Sequence, residues 1–418
     1  MQNILFFIFR LHGGGAERVV SNLSVGISEK YNVKIAVFDK SDQTYPFKGE
    51  LIRIKLPFSE NPAGNKWWAR ACRLFVLIYK LRKLKKIHKI DVSVSFAEPA
   101  NIINVLTKGR TKTILSVRTL LSKHLVDTSN PKLFQGLIKY LYNCSDQVIV
   151  PSKMVEQDLI SQFKLFPSKV KLIYNYTERE KIEELSKEII EDPFYKNLFE
   201  QQILLNVGRI TLAKGQWLLP QLLYRLKPKY KNLKLVIIGE AENGDDVKMH
   251  LVYLANQLGL KLYDHSLPQL PSLDFDIYLL GFQTNPFCYM RHSKILLFPS
   301  VFEGFPNTLL EAMQCGLPVV SSDCYAGPRE ILAPDSDPEK RTDKMECRKY
   351  GILCPPIPSL NFNDNIPDNI LGEWILAVTT LIKDDALRNE LAQNGYQRVK
   401  DFDKKIILRQ WEESIIKQ

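Results

Sequence analysis

Apolar positions follow two spacings along this chain, one typical of buried strands and one typical of helices. In the first half, short apolar runs predict strands at Ile4–Phe9, Val33–Phe38, Val92–Phe96, Thr113–Val117 and Gln147–Val150. Helical spacing fills the gaps, and its longest stretches are Trp67–Lys86 and Leu133–Tyr142. Strands that alternate with helices predict a parallel sheet covered on both faces.

The second half repeats this scheme. Its predicted strands are Ile203–Val207, Leu235–Ile238, Ile277–Leu280, Ile295–Phe298 and Pro318–Ser321, and its last three helices are Ile370–Lys383, Asp385–Lys400 and Lys404–Ile416. The charged segment Tyr174–Asp192 between the halves is predicted to be a linker. The polar segment Pro334–Lys349 is predicted to be an exposed loop outside the core. At 418 residues the chain exceeds the roughly 250–300 residues at which single cores stop growing, so two domains are expected.

Composition places the chain among soluble globular proteins, with 45% apolar and 25% charged residues. Its seven cysteines are scattered without a Cys-x-x-Cys pair, which argues against a zinc ribbon or a disulfide framework. The apolar run Ile4–Phe9 is too short for a secretory signal, and no run approaches the ~20 apolar residues of a spanning helix. We therefore expect a cytoplasmic protein.

The net charge of +11 is concentrated in one segment. Lys66–Ile90 holds nine Lys or Arg residues and no Asp or Glu, interleaved with Trp67, Trp68 and Tyr79. A basic segment with aromatic residues can lie in the headgroup region of an anionic membrane. A core helix with a solvated basic face is the alternative. Nucleic acid is a third possible partner for a basic patch, but no recognisable nucleic-acid module accompanies it, so none is expected.

Two glutamates flank a turn in the second half, and their placement predicts a ligand site. The chain reads Glu303-Gly304-Phe305-Pro306-Asn307-Thr308-Leu309-Leu310-Glu311 after a predicted strand, and Gly316 should end the helix that follows. The first amides of that helix lack internal partners and suit a phosphate. Ionised carboxylates accept hydrogen bonds from hydroxyls. A ligand that carries both phosphates and many hydroxyls is a nucleotide sugar.

Two further segments suit phosphate. Gly208-Arg209-Ile210-Thr211-Leu212-Ala213-Lys214-Gly215 follows a predicted strand, and its two cations can bind a diphosphate, arginine through bidentate contacts and lysine as a point charge. His12-Gly13-Gly14-Gly15 lies between the first strand and the first helix, where glycines let backbone amides approach an oxyanion closely. Its spacing is not that of the dinucleotide fingerprint.

Together these segments resemble the donor site of retaining GT-B glycosyltransferases, in particular glycosyltransferase family four. The resemblance spans nearly the whole chain and is strongest from Leu204 to Leu332. It implies an α/β GT-B architecture with two Rossmann-like domains that face a central cleft. Residues 1–180 would bind the acceptor, residues 181–395 would bind the nucleotide sugar, and a helix within 396–418 would return to the first domain.

The resemblance also implies roles for single residues. Glu311 would hold the ribose hydroxyls, Glu303 would contact the donor sugar, and Arg209 with Lys214 would neutralise the leaving diphosphate. Other donor contacts would come from glycines of the first domain, from a segment that frames the base and from the turn between the glutamates: Gly14, Gly15, Gly281, Phe282, Gly304, Phe305, Pro306, Asn307, Thr308 and Leu309. No metal ion or other cofactor is implied.

One segment departs from the family pattern. Many relatives carry a histidine near the reacting sugar carbon, where this chain reads Ser116-Val117-Arg118-Thr119. Arg118 is a candidate contact for acceptor or sugar, and a structural salt bridge is its alternative role, while His124 is a more distant candidate. Gly327-Pro328-Arg329-Glu330 resembles a subgroup that acts on bacterial surface polysaccharides.

The sequence thus predicts a metal-independent, retaining hexosyltransferase. It would move a hexose or N-acetylhexosamine from a UDP-linked donor to a glycan or polyprenyl-diphosphate-linked glycan, as in capsule or lipopolysaccharide synthesis. The basic segment Lys66–Ile90 would keep it peripheral on the inner face of the cytoplasmic membrane. Two alternatives stay open: a nucleotide-independent phosphorylase or sugar-phosphate synthase of the same fold, and a non-catalytic protein that binds membranes or nucleic acid.

Overall fold

A seven-stranded parallel sheet forms the core of the first of two units, which comprises Met1–Asn175 and Lys404–Gln418. Its strands are β1 (Asn3–Phe7), β2 (Asn32–Val37), β3 (Glu50–Arg53), β4 (Val92–Phe96), β5 (Lys112–Ser116), β6 (Gln147–Val150) and β7 (Val170–Leu172). They lie in the order β3-β2-β1-β4-β5-β6-β7, so the carboxyl ends of all seven meet at one edge. The computed structural model describes residues 1–11, 14–38, 45–55, 67–124, 130–241, 246–358, 361–362 and 365–416, without the side chains of residues 67–71 and 124.

Helices cover both faces of this sheet. The helices that precede the second unit are α1 (Gly15–Ile27), α2 (Trp67–Ile87), α3 (Ala100–Leu106), α4 (Leu121–His124), α5 (Pro131–Cys144) and α6 (Lys153–Ser161). Helix α3 packs against both α2 and α5, so these three helices lie on the same side of the sheet. The basic helix α2 buries Leu77, Leu81 and Leu84 in the core with Leu5 and Phe7.

A buried lysine fastens α2 to α3. Lys85 Nζ donates to the Oδ1 of Asn104 at 2.8 Å, and to the carbonyl oxygens of Asn104 at 3.3 Å and Thr107 at 3.2 Å. Burial, together with the charge of Arg82, lowers the pKa of Lys85 to about 7. The carbonyls at the C-terminal end of α3 therefore replace water around this amine.

The second unit, Tyr176–Asp403, is built on an eight-stranded sheet. Its strands are β8 (Gln202–Val207), β9 (Leu233–Ile238), β10 (Leu262–Asp264), β11 (Ile277–Leu279), β12 (Ile295–Phe298), β13 (Val319–Ser322), β14 (Glu346–Arg348) and β15 (Gly351–Cys354). The order is β10-β11-β9-β8-β12-β13-β15-β14, and the pairs are parallel except β14 with β15. Its helices are α7 (Arg179–Ser186), α8 (Pro193–Leu198), α9 (Leu218–Leu226), α10 (Asp246–Gln257), α11 (Pro286–Arg291), α12 (Asn307–Gln314), α13 (Pro328–Leu332), α14 (Asp368–Lys383) and α15 (Asp385–Arg398).

The limits of the units differ from those expected at 1–180, 181–395 and 396–418. The first boundary falls between Asn175 and Tyr176 because α7 packs on α11 and α12 of the second unit. The segment Tyr174–Asp192, predicted to be a linker, is therefore largely part of that unit. The second boundary falls after Asp403, because a 3-10 turn at Val399–Phe402 continues α15 within the second unit.

The last helix, α16 (Lys404–Ile415), belongs to the first unit, as the family resemblance implies. Its Trp411 is buried and stacks on Phe96 of β4, with 6.1 Å between the ring centroids. Lys30 Nζ pairs with Glu412 at 2.8 Å. Two mixed α/β units on mostly parallel sheets confirm the predicted fold class. In the described part of the chain, none of the helices is long and apolar enough to cross a membrane.

Candidate active site

The carboxyl ends of four neighbouring strands of the second sheet bring most of the predicted site residues to one edge. Gly208-Arg209 follows β8, Gly239-Glu240 follows β9, Gly281-Phe282 follows β11, and Glu303 lies five residues after β12. Backbone hydrogen bonds join the first three loops, among them Gly208 N to Ile238 O at 2.9 Å and Gly239 N to Gly281 O at 2.8 Å. Ligands in such sheets bind beyond this edge.

Lys214 and Glu303 form an ion pair at this edge. Lys214 Nζ lies 2.6 Å from Glu303 Oε1, and the two side chains are 22% and 12% exposed. The ammonium also lies 5.3 Å from the centroid of the Phe298 ring. The pair joins residues 89 positions apart because β8 and β12 are neighbours in the sheet. A cation held by a single carboxylate still has donors to offer a phosphate oxygen.

Gly215 positions Lys214. A 3-10 turn at Leu212–Lys214 ends at Gly215, whose φ of +64° lies in the left-handed region. A Cβ there would lie 2.1 Å from the carbonyl oxygen of Pro299. The close approach continues through Val301, whose N–H donates to Ala213 O at 2.9 Å. Glycine is therefore required for the lysine loop to reach the loop after β12.

Arg209 is exposed at the end of β8, and two buried amide side chains shape the loop that carries it. Gln216 Nε2 donates to Arg209 O at 2.9 Å and to Asn206 Oδ1 at 3.5 Å, and Asn206 Nδ2 donates to Leu297 O at 2.8 Å. Neither Asn206 nor Gln216 was predicted. The signal was available, because Asn206 is a polar residue inside an apolar strand, and buried polar groups need specific partners.

The turn between the two glutamates leads into α12 as predicted. Pro306 is the N-cap residue, no side chain caps the helix, and Gly316 with φ +71° follows its end. Glu311 is buried within α12, whereas Asn307 and Thr308 are part-exposed at its start. The uncapped start of α12 and the Glu311 carboxylate are therefore arranged as expected for a site that binds phosphates and hydroxyls.

Other residues of this turn serve packing. Gly304 and Pro306 are buried, and Phe305 packs against Phe402 with 5.6 Å between the ring centroids. Leu309 is fully buried, and its N–H donates to Pro306 O at 3.1 Å. The side chain and amide of Leu309 are thus engaged inside the protein rather than presented to a ligand.

The segment Gly327-Pro328-Arg329-Glu330 supports the turn from behind. A Cβ on Gly327, whose φ is +100°, would lie 2.2 Å from Pro306 Cδ. Arg329 is buried and pairs with the fully buried Asp323, its Nη2 lying 2.5 Å from Asp323 Oδ2 and 3.3 Å from Glu346 Oε2. Burial alone would lower the pKa of Arg329, but the hydrogen bonds and charge of Asp323 raise it. This arginine is structural.

The same ion pair corrects the prediction for Pro334–Lys349. Thr342 within that segment is buried, and its N–H donates to Asp323 Oδ2 at 2.8 Å. Strand β14 forms the edge of the sheet and contributes Glu346 to the ion pair. The charges that suggested an exposed loop therefore belong in part to a buried cluster.

Phe282 and its neighbours complete this edge. The Phe282 ring is exposed, and its N–H donates to Glu240 Oε1 at 3.1 Å. His265 Nε2 lies 3.5 Å from the same carboxylate oxygen. Gly281 has φ +66°, and a Cβ there would lie 2.0 Å from His265 Nε2. Glu240, which was not among the predicted site residues, thus orients the loop that is expected to frame the base.

The first unit places its own candidates at the carboxyl edge of its sheet. Gly14 is the N-cap residue of α1, with φ −145° and no side-chain cap, and Gly15 is exposed, with no heavy atom within 4 Å of where its Cβ would be. A Cβ on Gly14 would lie 2.2 Å from Glu17 Oε2, so the Glu17 carboxylate lies at the helix start and opposes the approach of another anion. His12 and Gly13 of the predicted glycine loop lie outside the described residues.

Arg118 follows β5 at the same edge. It donates to the Oδ1 of Asn175 and to the Oγ of Ser116, the latter at 3.3 Å. Burial lowers the pKa of Arg118 to about 10, and no carboxylate lies within 4 Å of it among the described residues. The salt-bridge alternative is therefore not what the structure contains. The side chain of His124 lies outside the described part of the chain.

Glu98, which the sequence did not single out, is joined to this region by hydrogen bonds. Asn101 Nδ2 donates to both Glu98 carboxylate oxygens, at 3.1 and 3.2 Å, and to Ser116 O at 3.2 Å. The Tyr142 hydroxyl donates to Glu98 Oε1. Burial raises the pKa of Glu98 to about 7, against the opposing effect of the Asn101 hydrogen bond.

Glu98 gives a predicted pH dependence of stability. Because its folded pKa lies above the ordinary value of 4.5, its contribution is complete below pH 4.5 and is lost as pH rises to about 7. Glu98→Gln should flatten the wild-type decline between pH 5 and 7 and be the more stable protein at pH 8. Urea unfolding of both proteins across this range measures the difference. Lys85 titrates between about 7 and 10.5 and leaves this window clear; parallel curves for the two proteins would contradict the prediction.

Two further features bear on the chemistry of the edge after β12 and β13. Cys324 is fully buried, and burial together with the charge of Glu303 raises the pKa of its thiol well above the ordinary value. It is therefore a neutral packing residue and not a nucleophile.

Within the described residues, no three His, Cys, Asp or Glu side chains group in a way that could hold a metal ion.

Comparisons with known proteins agree with this geometry. The family model for Glycosyltransferase Family 4 matches residues 13–181, and that for Glycosyl transferases group 1 matches residues 189–338. A Campylobacter jejuni N-acetylgalactosamine-N,N'-diacetylbacillosaminyl-diphospho-undecaprenol 4-alpha-N-acetylgalactosaminyltransferase is 29% identical over 415 residues, 98% of each chain. The crystal structure of Anabaena HepE in complex with UDP has the same fold, with a TM-score of 0.72 at 19% identity over 99% of each chain.

An uncharacterised glycosyltransferase of Methanocaldococcus jannaschii is similar over most of its length. It is 33% identical over 379 residues, which cover 87% of this chain and 88% of that protein. The similarity therefore extends through both units. On these grounds the chain belongs to the glycosyltransferases of the GT-B fold.

Proposed function

We propose that this protein is a retaining, metal-independent glycosyltransferase that uses a UDP-sugar to extend a lipid-linked bacterial surface glycan. The observation that carries the proposal is the Lys214–Glu303 pair beside the open start of α12, with Glu311 buried in that helix. Positive charge, helix-start amides and carboxylates at one sheet edge match the phosphates and hydroxyls of a nucleotide sugar. The UDP bound to Anabaena HepE supports the choice of base.

In this proposal Arg209 and Lys214 stabilise the diphosphate as it leaves. The bond between sugar C1 and the β-phosphate oxygen breaks, and the acceptor oxygen forms its bond to C1 on the same face of the sugar. The acceptor proton passes to the departing phosphate oxygen, so no protein base is needed. Glu303 orients Lys214 and contacts the sugar, and Glu311 holds the ribose. The protein thus contributes positioning and preorganised charge.

The acceptor is proposed from the relatives and from the first unit. The Campylobacter relative is named for an N-acetylgalactosamine acceptor on diphospho-undecaprenol and for an alpha linkage. An alpha product from an α-linked UDP-sugar requires retention, so NMR of the product anomer tests the stereochemistry, and a β product would overturn it. Arg118, a part-buried cation without a carboxylate partner in the described chain, is the proposed contact for the acceptor or the sugar.

The membrane surface is proposed as the place of action. Helix α2 buries Leu77, Leu81 and Leu84, but its lysines and arginines are interspersed with four exposed apolar side chains, those of Leu74, Phe75, Tyr79 and Ile87. Such a surface can lie in the headgroup region beside a lipid-linked acceptor. Sedimentation with anionic vesicles tests this location.

A thermal-shift panel of UDP, GDP, ADP and CMP, each with and without EDTA, tests the donor site. We expect UDP alone to raise Tm, on the order of 5 °C at about a hundred times its Kd, because a ligand that binds only the folded state stabilises it. EDTA should leave this shift unchanged, since Arg209 and Lys214 supply the positive charge.

Glu311→Gln is the matched variant for that panel. It keeps the size of a buried side chain but loses the charge that accepts ribose hydroxyls, so the UDP shift should shrink while the ligand-free Tm changes little. A UDP shift that requires metal would contradict metal independence. No shift with any nucleotide would favour the phosphorylase or the non-catalytic alternative.

A further inference from the structure

Helix α5 presents an apolar stripe on the surface of the first unit. Leu133, Leu137 and Tyr140 are 70%, 43% and 71% exposed. Their spacing of four and three residues places them on one side of the helix. The side of α5 that faces the unit is buried through Ile138, Leu141 and Tyr142. The exposed stripe is therefore additional to the residues that hold α5 in place.

The stripe continues beyond the helix. Phe166 is exposed, and its N–H donates to Asn143 Oδ1 at 2.9 Å, while Asn143 Nδ2 donates to Lys164 O at 3.3 Å. These bonds fix the loop that carries Phe166 against the C-terminal half of α5. Single exposed apolar residues are normal on a protein surface and need no explanation, but a group of four large ones indicates an interaction site.

The described charges on α5 and beside Phe166 on the adjoining loop have one sign. Helix α5 contains no Asp or Glu, and Lys132 and Lys139 are exposed beside the apolar residues, as is Lys164 on the adjoining loop. Helix α3 packs against both α5 and α2, so the stripe and the exposed residues of α2 lie on the same side of the sheet. One side of this unit therefore combines apolar, aromatic and basic groups.

We propose that the α5 face, defined as Leu133, Leu137, Tyr140 and Phe166 with Lys132 and Lys139, is a membrane-contact surface separate from α2. Its occupant is an anionic bilayer, with the apolar side chains at the headgroup–acyl boundary and the ammonium groups among the lipid phosphates. The proposal rests on the proposed function in one respect, namely that the acceptor is lipid-linked and lies at the membrane. The binding of the α5 face to a bilayer depends only on its own apolar and basic side chains.

Charge complementarity favours a bilayer over another protein copy. A symmetric dimer through the α5 face would bring Lys132 and Lys139 of one copy near the lysines of the other, and like charges oppose such contact. An anionic surface pairs with every lysine. Aromatic and aliphatic side chains with basic flanks are the composition that interfacial helices use.

The test is flotation of the full chain with vesicles of phosphatidylcholine alone or mixed with phosphatidylglycerol. The variant Leu133→Ser/Leu137→Ser/Tyr140→Ser should bind the mixed vesicles at least about tenfold more weakly than wild type, because the lost apolar area no longer leaves water. Lys132→Gln/Lys139→Gln should weaken binding by on the order of tenfold at low salt. The matched control, Met249→Ser/Tyr253→Ser, removes side chains 67% and 57% exposed on α10 of the second unit and should bind as wild type does.

Several outcomes would overturn the proposal. They are equal binding by the triple α5 variant and wild type, equal binding to both vesicle types, or a concentration-dependent dimer that the triple variant abolishes. A Phe75→Ser/Tyr79→Ser variant of α2, tested in parallel, should lower binding independently of α5. The UDP thermal shift of every variant is measured alongside. Normal vesicle binding without a UDP shift would count against the proposed donor site alone. A normal UDP shift without vesicle binding by wild type would count against the α5 face and the proposed membrane location, but not against the donor site.

Discussion

Lys214→Ala should lower turnover about 10²–10³-fold while the protein stays folded, because removing one preorganised charge from a developing anion costs about that much. The lysine is held beside Glu303 at 2.6 Å and by the loop that ends at Gly215, so its ammonium is fixed before the substrate arrives. Its removal should also cost about 2 kcal/mol of stability, the range for a hydrogen bond to a charged group. Initial rates at saturating UDP-sugar and a urea titration measure the two effects.

Lys227→Ala is the control that separates these effects. Lys227 pairs with Asp276, and the side chains are 25% and 10% exposed, close to the 22% and 12% of the Lys214–Glu303 pair. Asp276 precedes β11, so this pair lies at the opposite edge of the sheet. The Lys227→Ala variant should lose about as much stability as Lys214→Ala but keep the turnover of wild type. Equal losses of turnover in both variants, or wild-type turnover in Lys214→Ala, would refute the assigned role.

Most of the strands that the sequence did not reveal lie at the edges of the sheets. Strands β4, β6 and β12 match their predicted ranges residue for residue, because each pairs with a neighbour on both sides and is almost wholly buried, which favours apolar or small residues. The strands at all four sheet edges, β3, β7, β10 and β14, were not predicted, and the buried interior strand β15 was missed as well. An edge strand pairs on one side only, is short and is part-exposed, so its residues carry little periodic apolar signal.

The candidate site also has residues whose place in the fold the sequence predicted and contacts that the sequence could not reveal. The strand–turn–helix pattern was sufficient to place Arg209, Lys214 and Glu303 in loops after strands and Glu311 in the helix that follows, and the structure brings these loops to one edge. The ion pair between Lys214 and Glu303 was not predictable, because it depends on β8 and β12 becoming neighbours across 89 residues. Asn206 and Gln216 were missed for a related reason. The structural role of a buried amide depends on its hydrogen-bond partners, and only the fold brings these partners next to it.

Arg329→Met should destabilise the protein more than any of the other single substitutions, by about 3–5 kcal/mol. It would leave Asp323, which is fully buried, with the single N–H of Thr342 in place of a bidentate guanidinium. An uncompensated buried charge, rather than the lost ion pair itself, sets this cost. Urea unfolding monitored by tryptophan fluorescence measures it, because Trp217 and Trp374 are buried in the same unit.

Two companion variants define the cause. Arg348→Met removes a partner of Glu346 at the exposed side of the same cluster and should cost less than about 1 kcal/mol. Adding Asp323→Leu to Arg329→Met should recover part of the loss, because the second change removes the unpaired charge that the first one creates. If the double variant were less stable than Arg329→Met by as much as Asp323→Leu costs alone, the arginine would act through packing and not through charge.

The outcome bears on function as well, because Gly327, two residues before Arg329, packs on Pro306 of the turn between the two glutamates. The arginine of this segment is thus buried and paired with carboxylates of the protein itself, which gives it a structural role behind the turn.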